Sequence, residues 1–328
     1  MRSALVAILR SVFLAGGLLL GVISVGCALA GLGGAFSNRL DTFTDFSPIW
    51  ASCGILAIGI GLSVRSRIAA ILGAVGLILA GALIVPEALY AAGGRQQPLA
   101  QPALTVVEFN LWAGNRQQAR TADWILAQHA DVLVLEEAFG GTEQIMTTLR
   151  QHYPYSTRCR RSPCSSVILS LRPPIATGDM QRLPGEAKHL SGSWATFRDA
   201  HGTYTVVGVH FGWPWPFGDH LAQRHILIRS VQRFPHDRLI VAGDFNSTPW
   251  SFDLRTIARS LGLTRYSRSL PSWPAQPGTA GPIALPFPIM PIDHVFAGPA
   301  WTQVRVRRGP LLGSDHYPLV IQLADSPG

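Results

Sequence analysis

The sequence predicts a membrane-anchored α/β protein, with three transmembrane helices followed by one layered domain of alternating strands and helices. Three observations predict it. Charge vanishes from three long stretches near the N-terminus. From residue 103 onward, short apolar runs alternate with segments of helical spacing. Carboxylate, amide and imidazole side chains stand where those apolar runs stop.

No charged residue lies between Arg10 and Arg39, between Asp45 and Arg65, or between Arg67 and Glu87, gaps of 28, 19 and 19 residues. About 20 apolar residues cross the hydrocarbon layer as a helix, and glycine within such a run is tolerated. The spans are therefore placed near 11–31, 47–64 and 68–90. This makes 1–92 the anchor, 93–102 a Gly/Gln/Pro-rich linker and 103–328 the second domain. A cleaved signal peptide with 11–26 as its apolar core is the alternative for the first span, and it leaves the other two in place.

Composition excludes further classes. A chain of 328 residues that is 48% hydrophobic and 14% charged is too apolar to be disordered. Four cysteines exclude a disulfide-dense miniprotein. Basic residues orient the anchor: Arg2, Arg10, Arg65 and Arg67 flank one side, against Arg39 alone in the first loop. The N-terminus is then cytoplasmic and everything after residue 92 lies on the far side. There, Cys159 and Cys164 enclose a short polar loop that a disulfide would close, whereas Cys27 and Cys53 fall in spans as small apolar residues.

In the second domain, Leu104–Phe109 reads as a strand ending at Asn110. Thr121–Gln128 is helical, and Val132–Leu135 is a buried strand running into Glu136-Glu137. Strands follow at Ser166–Leu171, Ser193–Arg198 and Tyr204–Val209, the last ending at His210. Leu221–Phe234 is helical and Leu239–Ala242 a buried strand ending at Gly243-Asp244. Phe252–Leu261 is helical, Ile292–Ala297 and Trp301–Arg307 are extended, and Tyr317–Gln322 is the last strand. The basic residues of 103–328 are all arginine except Lys188, and arginine grips phosphate at two points.

Asn110, Glu137, His210, Asp244 with Asn246, Asp293, and Asp315-His316 all stand at or beside strand ends. Singly, each suits a turn or a helix cap; together they suit hydrolysis of a phosphate ester. Carboxylate and amide oxygens bind magnesium or manganese. A histidine held by a carboxylate stabilises charge developing on phosphate oxygens, and an Asp beside an Asn orients and deprotonates water. No Walker loop, GxGxxG turn or GxSxG elbow is present.

In order, Phe109-Asn110-Leu111, Asp131-Val-Leu-Val-Leu-Glu136-Glu137, Val209-His210, Gly243-Asp244-Phe245-Asn246-Ser247-Thr248-Pro249, Ile292-Asp293-His294 and Gly313-Ser314-Asp315-His316-Tyr317-Pro318 resemble the motifs of the endonuclease/exonuclease/phosphatase superfamily. The three-span anchor ahead of them resembles a membrane-bound bacterial subgroup. The resemblance implies a four-layer α/β sandwich of two mainly antiparallel sheets. It implies a Mg2+ or Mn2+ site with Glu137 as principal ligand, helped by Asn110 and Asp315. Asp244 would activate the water, Asn246 orient the phosphate and His210 bind it from the opposite side. His316 would be the catalytic imidazole, with Asp293 as its partner. Where the family commonly has glutamine before the metal glutamate, this chain has Glu136, and strand alternation lets only one of the two neighbours face the site. The subgroup implies a multi-pass protein of the bacterial inner membrane with a periplasmic catalytic domain.

Substrate is less legible, because fold does not choose it. Trp213-Pro-Trp215-Pro-Phe217 and the loop 284–291 are apolar segments beside site motifs, suited to a membrane interface or to base stacking. A short linker favours a lipid headgroup or small extracytoplasmic phosphoester over nucleic acid; no protein partner is readable. The alternatives are an extracytoplasmic nuclease and a non-catalytic membrane receptor that keeps the sandwich. For topology, a phosphatase reporter fused after Gly328 is expected to be active only outside the cytoplasm, and a cytoplasmic signal would reverse the orientation.

Overall fold

The computed structural model describes residues 2–92, 102–157, 165–180, 189–214, 219–267, 270–276 and 287–326. The expected linker (all but Pro102), the Cys159–Cys164 loop, Trp215 to Phe217 and residues 284–286 lie outside these. Two compact units emerge, one of residues 1–93 with 250–253, the other of 94–249 and 254–328.

In the first unit, α1 (Arg2–Leu32), α2 (Asn38–Asp45), α3 (Ser47–Ser63) and α4 (Arg67–Ala92) follow one another. Two stretches, Ala4–Ala35 and Arg67–Leu89, are long and apolar enough to cross a membrane; a third span requires α2 and α3, bent by 62°, to count as one. The middle span foreseen at 47–64 thus coincides with a 17-residue helix. Small residues let the helices approach closely. A Cβ on Gly73 would lie 2.6 Å from the carbonyl oxygen of Gly54. Ser24 Oγ donates to the Trp50 carbonyl at 2.7 Å, satisfying a polar group buried between helices.

The second unit contains β1 (Leu104–Asn110), β2 (Val132–Glu136), β3 (Tyr155–Ser156), β4 (Ser166–Ser170), β5 (Ala176–Asp179) and β6 (Ser191–Asp199). They are followed by β7 (Gly202–His210), β8 (Leu239–Asp244), β9 (Thr264–Arg265), β10 (Asp293–Ala297), β11 (Trp301–Arg308) and β12 (Leu319–Asp325). One sheet has the order β11-β12-β1-β2-β4-β3 and the other β5-β6-β7-β8-β10-β9. Each is antiparallel except for one parallel pair, β1 with β2 and β7 with β8. The helices are α5 (Gln118–Leu126), α6 (Glu143–His152), α7 (Asp219–Val231) and α8 (Phe252–Leu261).

Alternation of side chains along the central strands produces the layers. Val106, Val134, Val206, Ile240, Val295 and Ile321 fill the space between the sheets. Their neighbours turn outward: Val107, Phe109, Leu133 and Leu135 pack on Ile125, Ile145 and Leu149 of α5 and α6. Val207, Val209 and Val241 pack on Ile226, Leu227, Leu254 and Ile257 of α7 and α8. Strands covered on both faces read as unbroken apolar runs, which is why Val132–Leu135 and Leu239–Ala242 were legible. The result is the four-layer sandwich implied by the motifs. Helix α6 and the short strands β3, β5 and β9 had no clear period and were not foreseen; α6 buries only Ile145, Met146 and Leu149.

One end of the inter-sheet core is closed by aromatics. Phe197 stacks on Tyr204 at 5.2 Å, and Tyr204 meets Trp301 edge-on at 5.7 Å across the sheets. Arg238 lies 4.6 Å over the Trp301 ring and binds Asp325 at 2.8 Å. The opposite end is polar. There, Gly243 at φ +141 brings β8 against β7: an added Cβ would lie 1.9 Å from the Val209 carbonyl oxygen. Gly243→Ala is expected to cost about 3 kcal/mol or more in thermal unfolding of the detergent-solubilised chain. Gly202→Ala, at φ +116 with open space around it, should cost only about 1–2 kcal/mol.

Candidate active site

Two parallel pairs bring strand C-termini to the same edge of each sheet. In register, Asn110 lies opposite Glu136 on β1 and β2, and His210 opposite Asp244 on β7 and β8. Strand β10 runs antiparallel to β8, so its first residue, Asp293, pairs with Asp244. Period-two alternation then aims all five inward. Asn110 continues the row of Leu104 and Val106, Glu136 that of Val132 and Val134, and Asp244 that of Ile240 and Ala242. The site is the polar end of the inter-sheet core.

Contacts cross from sheet to sheet. Asn110 Nδ2 donates to Asp244 Oδ2 at 3.1 Å and lies 3.5 Å from Glu137 Oε1. His316, in the loop before β12, places Nδ1 2.8 Å from Asp293 Oδ2 and Nε2 3.7 Å from Asp244 Oδ2. His210 Nε2 approaches the same Asp244 oxygen at 3.7 Å, while its Nδ1 meets Ser165 Oγ at 3.0 Å. The backbone amide of Asn246 donates to Asp244 Oδ1 at 2.8 Å, and its side-chain amide to the Phe211 carbonyl at 2.8 Å. Ser314 Oγ donates to the Asn110 carbonyl at 2.7 Å and accepts from the His316 amide at 3.0 Å, fixing the Asp315-His316 loop to β1. Trp273 Nε1 donates to Asp315 Oδ2 at 3.4 Å.

Both carboxylates of the Glu136-Glu137 pair turn to the inner side of the sheet, although alternation would send one of them outward: Glu136 lies completely buried beneath the site and Glu137 at it. Glu136 points inward by alternation. Glu137, just past the strand, has φ +49, and this left-handed turn returns its carboxylate to the same side, where it accepts from the Ala113 amide at 3.0 Å. Alternation governs residues within a strand and lapses at its end.

Electrostatics follow from burial. Burial pushes Asp244 up to about 7, against the stabilising pull of His316. Burial disfavours the charged form of His316, but the carboxylates of Asp293 and Asp244 outweigh it and lift its pKa to about 10. Burial lowers the pKa of His210 and raises that of Asp315. Two further carboxyls lie beneath the site. Glu108, two residues before Asn110 on the same face of β1, and Glu136 are completely buried, and among the described residues no group other than the two carboxyls themselves serves any of their four oxygens. Burial first, then the charge of Asp293, raises both well above the ordinary carboxylate range. Each is aimed at the other, an arrangement in which one proton shared between them removes much of the cost.

Every expected site residue converges here. Among the described residues, Asp244, Asp293 and His316 form a buried group whose ligand atoms lie within 4.8 Å of one another and can hold a metal ion. Glu108, Ser165, Ser314 and the Ala113 amide were not foreseen. Glu108 was accessible to the period-two rule, whereas the serines and the amide carry no signal of their own. Trp213 is 49% exposed and meets Trp273 edge-on at 5.3 Å.

A family profile for the Endonuclease/Exonuclease/phosphatase family matches residues 107–316. No curated protein sequence matches the chain. Among solved structures, an endonuclease/exonuclease/phosphatase family protein from Bacteroides thetaiotaomicron is similar at TM-score 0.53 and 15% identity, over 70% of this chain and all of that one (100%). An endonuclease/exonuclease/phosphatase from Beutenbergia cavernae is similar at TM-score 0.51 and 21% identity, over 69% and 72%. Beta toxin from Staphylococcus aureus reaches TM-score 0.50 at 16% identity, over 68% and 100%. At such identities the likeness establishes a shared fold.

A carboxyl whose pKa is raised in the folded chain contributes stability below its unfolded pKa and loses it as pH rises through the folded value. The thermal midpoint of the metal-free protein is therefore expected to fall between pH 5 and pH 8. Glu136→Gln should flatten that slope and raise the midpoint at pH 8 by about 2–4 °C for each kcal/mol recovered. An unchanged slope would show that the buried pair does not titrate in this range.

Proposed function

The chain belongs to the endonuclease/exonuclease/phosphatase family, and from that membership and the site geometry we propose that it is a membrane-anchored, divalent-metal-dependent phosphoesterase acting by attack of an activated water on a phosphodiester or phosphomonoester. The observation that carries this reading is the meeting of Asn110, Glu137, His210, Asp244, Asn246, Asp293, Asp315 and His316 at one end of the two sheets.

The donor set suits a hard cation. Glu137 and Asp315 offer carboxylate oxygens, and Asn110 an amide oxygen that here accepts from the Trp112 amide while its Nδ2 faces Glu137; these are the ligand types of magnesium and manganese. Asp315 Oδ1 is buried with no hydrogen-bond partner among the described residues, and the neighbouring Glu137 charge adds to burial in raising its pKa. Glu137, Asn110 and Asp315 would hold the ion. When bound, it supplies positive charge to the phosphate oxygens. We assign Asp244, Asp293 and His316 to chemistry rather than ligation, because His316 already spans the two carboxylates with its two ring nitrogens.

Asp244, lifted toward neutrality, is poised to take a proton from water near physiological pH. Asn246 holds one of its oxygens through a backbone amide and stands beside it to orient the phosphate. Asp293 fixes His316 with Nδ1 as donor, leaving Nε2 to face a phosphate oxygen on which charge develops. His210, anchored through Ser165, approaches from the opposite side.

The apolar helices support anchoring in the inner membrane, and the arginine distribution supports an extracytoplasmic catalytic domain. With Trp213 exposed beside the site, a lipid headgroup or small extracytoplasmic phosphoester fits better than nucleic acid. Asp244→Ala and His316→Ala should each lower magnesium-dependent hydrolysis of bis(p-nitrophenyl) phosphate by about 10²–10⁴-fold while thermal unfolding stays cooperative. Chelation by EDTA should abolish turnover and manganese restore it. Wild-type activity in either variant would overturn the assignment, and no turnover on any phosphoester would favour a receptor.

A further inference from the structure

Beside the site the second unit carries an open cleft of about 580 Å³, lined by Trp112, Gly114, Arg116, Gln117, Gln276 and Gly313. The hydrolytic chemistry above makes no use of it. Its walls nevertheless are the segments that hold the proposed metal-side ligands. The Trp112 amide donates to Asn110 Oδ1 at 3.0 Å, and the next amide, Ala113, to Glu137 Oε2 at 3.0 Å. On the facing wall, Gln276 Nε2 donates to the Ser314 carbonyl at 3.0 Å, one residue before Asp315. The cleft therefore opens off the Asn110–Glu137–Asp315 side of the centre.

Its form is held against strain. Trp112 adopts φ +57, a region that costs a bulky side chain about 1–3 kcal/mol. Its indole lies against Gly114, where an added Cβ would fall 2.7 Å from Cζ2. Gly313, at φ +80, leaves no room either: a Cβ there would lie 2.4 Å from Asn115 Oδ1. The lining is also chemically distinct from the centre it adjoins. The centre is crowded with carboxylates, whereas the cleft offers a guanidinium, two carboxamides and an indole, and no acid among the described residues. Arg116 is exposed and enters no ion pair with a described residue. A free guanidinium presents a fork of donors matched to two phosphate oxygens.

We propose that this cleft is a subsite for a second phosphate group on the substrate, gripped by Arg116, with the Trp112 indole covering the carbon skeleton between the two phosphates. The inference rests on the phosphoesterase reading and narrows it. Favoured substrates carry a phosphate besides the one that is cleaved, on a lipid headgroup or on a free small molecule.

Two arms separate those sources. The first compares the p-nitrophenyl phosphodiester of thymidine with the same compound bearing a further phosphate on its sugar. The second compares phosphatidylcholine vesicles containing phosphatidylinositol with vesicles containing its monophosphorylated form. The wild-type protein should prefer the extra phosphate by about tenfold or more in kcat/KM in at least one arm, as expected for charge-assisted hydrogen bonds. Arg116→Gln should bring that ratio close to one, and the arm that shows the preference identifies the source. A wild-type ratio near one in both arms, or a preference that survives Arg116→Gln, overturns the subsite. Binding of inorganic pyrophosphate, followed by titration calorimetry, gives a readout that needs no turnover; Arg116→Gln should weaken it about tenfold or more. Pyrophosphate binding that depends on Arg116 in a protein cleaving no phosphoester would sink the enzyme and keep the subsite. Hydrolysis with neither ratio nor affinity responding to Arg116→Gln would do the reverse.

Discussion

His316 and Asp293 meet at 2.8 Å in the interior of the sandwich, one in the loop entering β12 of the first sheet, the other opening β10 of the second. The rest of the site depends on this contact, because it joins the polar edges of two sheets whose facing surfaces are mostly apolar. Asn110 and Asp244 make a second such tie. A buried ion pair recovers its desolvation cost only with good geometry and satisfied neighbours. Here the neighbours are supplied: Ser314 braces the His316 loop, the Asn246 amide braces Asp244, and Ser272 Oγ accepts from the Asp293 amide at 3.3 Å. Stability alone would be served as well by apolar side chains, so the arrangement is understandable as a device for placing charge.

The two ends of the inter-sheet core divide the labour. At one end Phe197, Tyr204, Trp301 and the Arg238 bridge close the layers with aromatic contact and satisfied charge. At the other, Glu108, Glu136, Asp244 and Asp293 are crowded together with few cations among them. Holding that many carboxyls away from water is unfavourable, and the unit bears it because three apolar clusters run the length of its layers. The excess of negative potential is also what a divalent cation and a protonated imidazole relieve. Electrostatic strain and proposed function are thus two aspects of one composition.

Backbone conformations that are uncommon for their residue types concentrate at the same end. Trp112, Glu137 and Asn246 all lie in the left-handed region, and Gly243 allows β7 and β8 to approach. Each lies within two residues of an inward-facing strand residue. Such turns reverse the direction of the side chains that follow, so that loop residues join strand residues around a common space. In the first unit the opposite economy holds: regular helices, small side chains at their contacts, and few polar groups to satisfy.

Much of this was readable from the chain itself. Charge-free gaps fixed the apolar helices, because a helix in hydrocarbon needs length and little else. The unbroken runs Val132–Leu135 and Leu239–Ala242 fixed central strands, since only strands covered on both faces can be apolar throughout. Polar residues at the ends of inward rows marked the site, and the period of two already pointed Asn110, His210, Asp244 and Asp293 the same way. What only the tertiary structure decided is which ends lie together and which neighbours support them. The α6 helix and the short strands β3, β5 and β9 follow from packing against a finished sheet, not from local pattern. The return of Glu137 depends on a single backbone angle, and the Trp112–Arg116 cleft on three segments far apart along the chain, around 112–117, Gln276 and Gly313. Sequence carries the direction of a side chain relative to its own strand; the partner it meets is set by pairing and layer contacts remote along the chain.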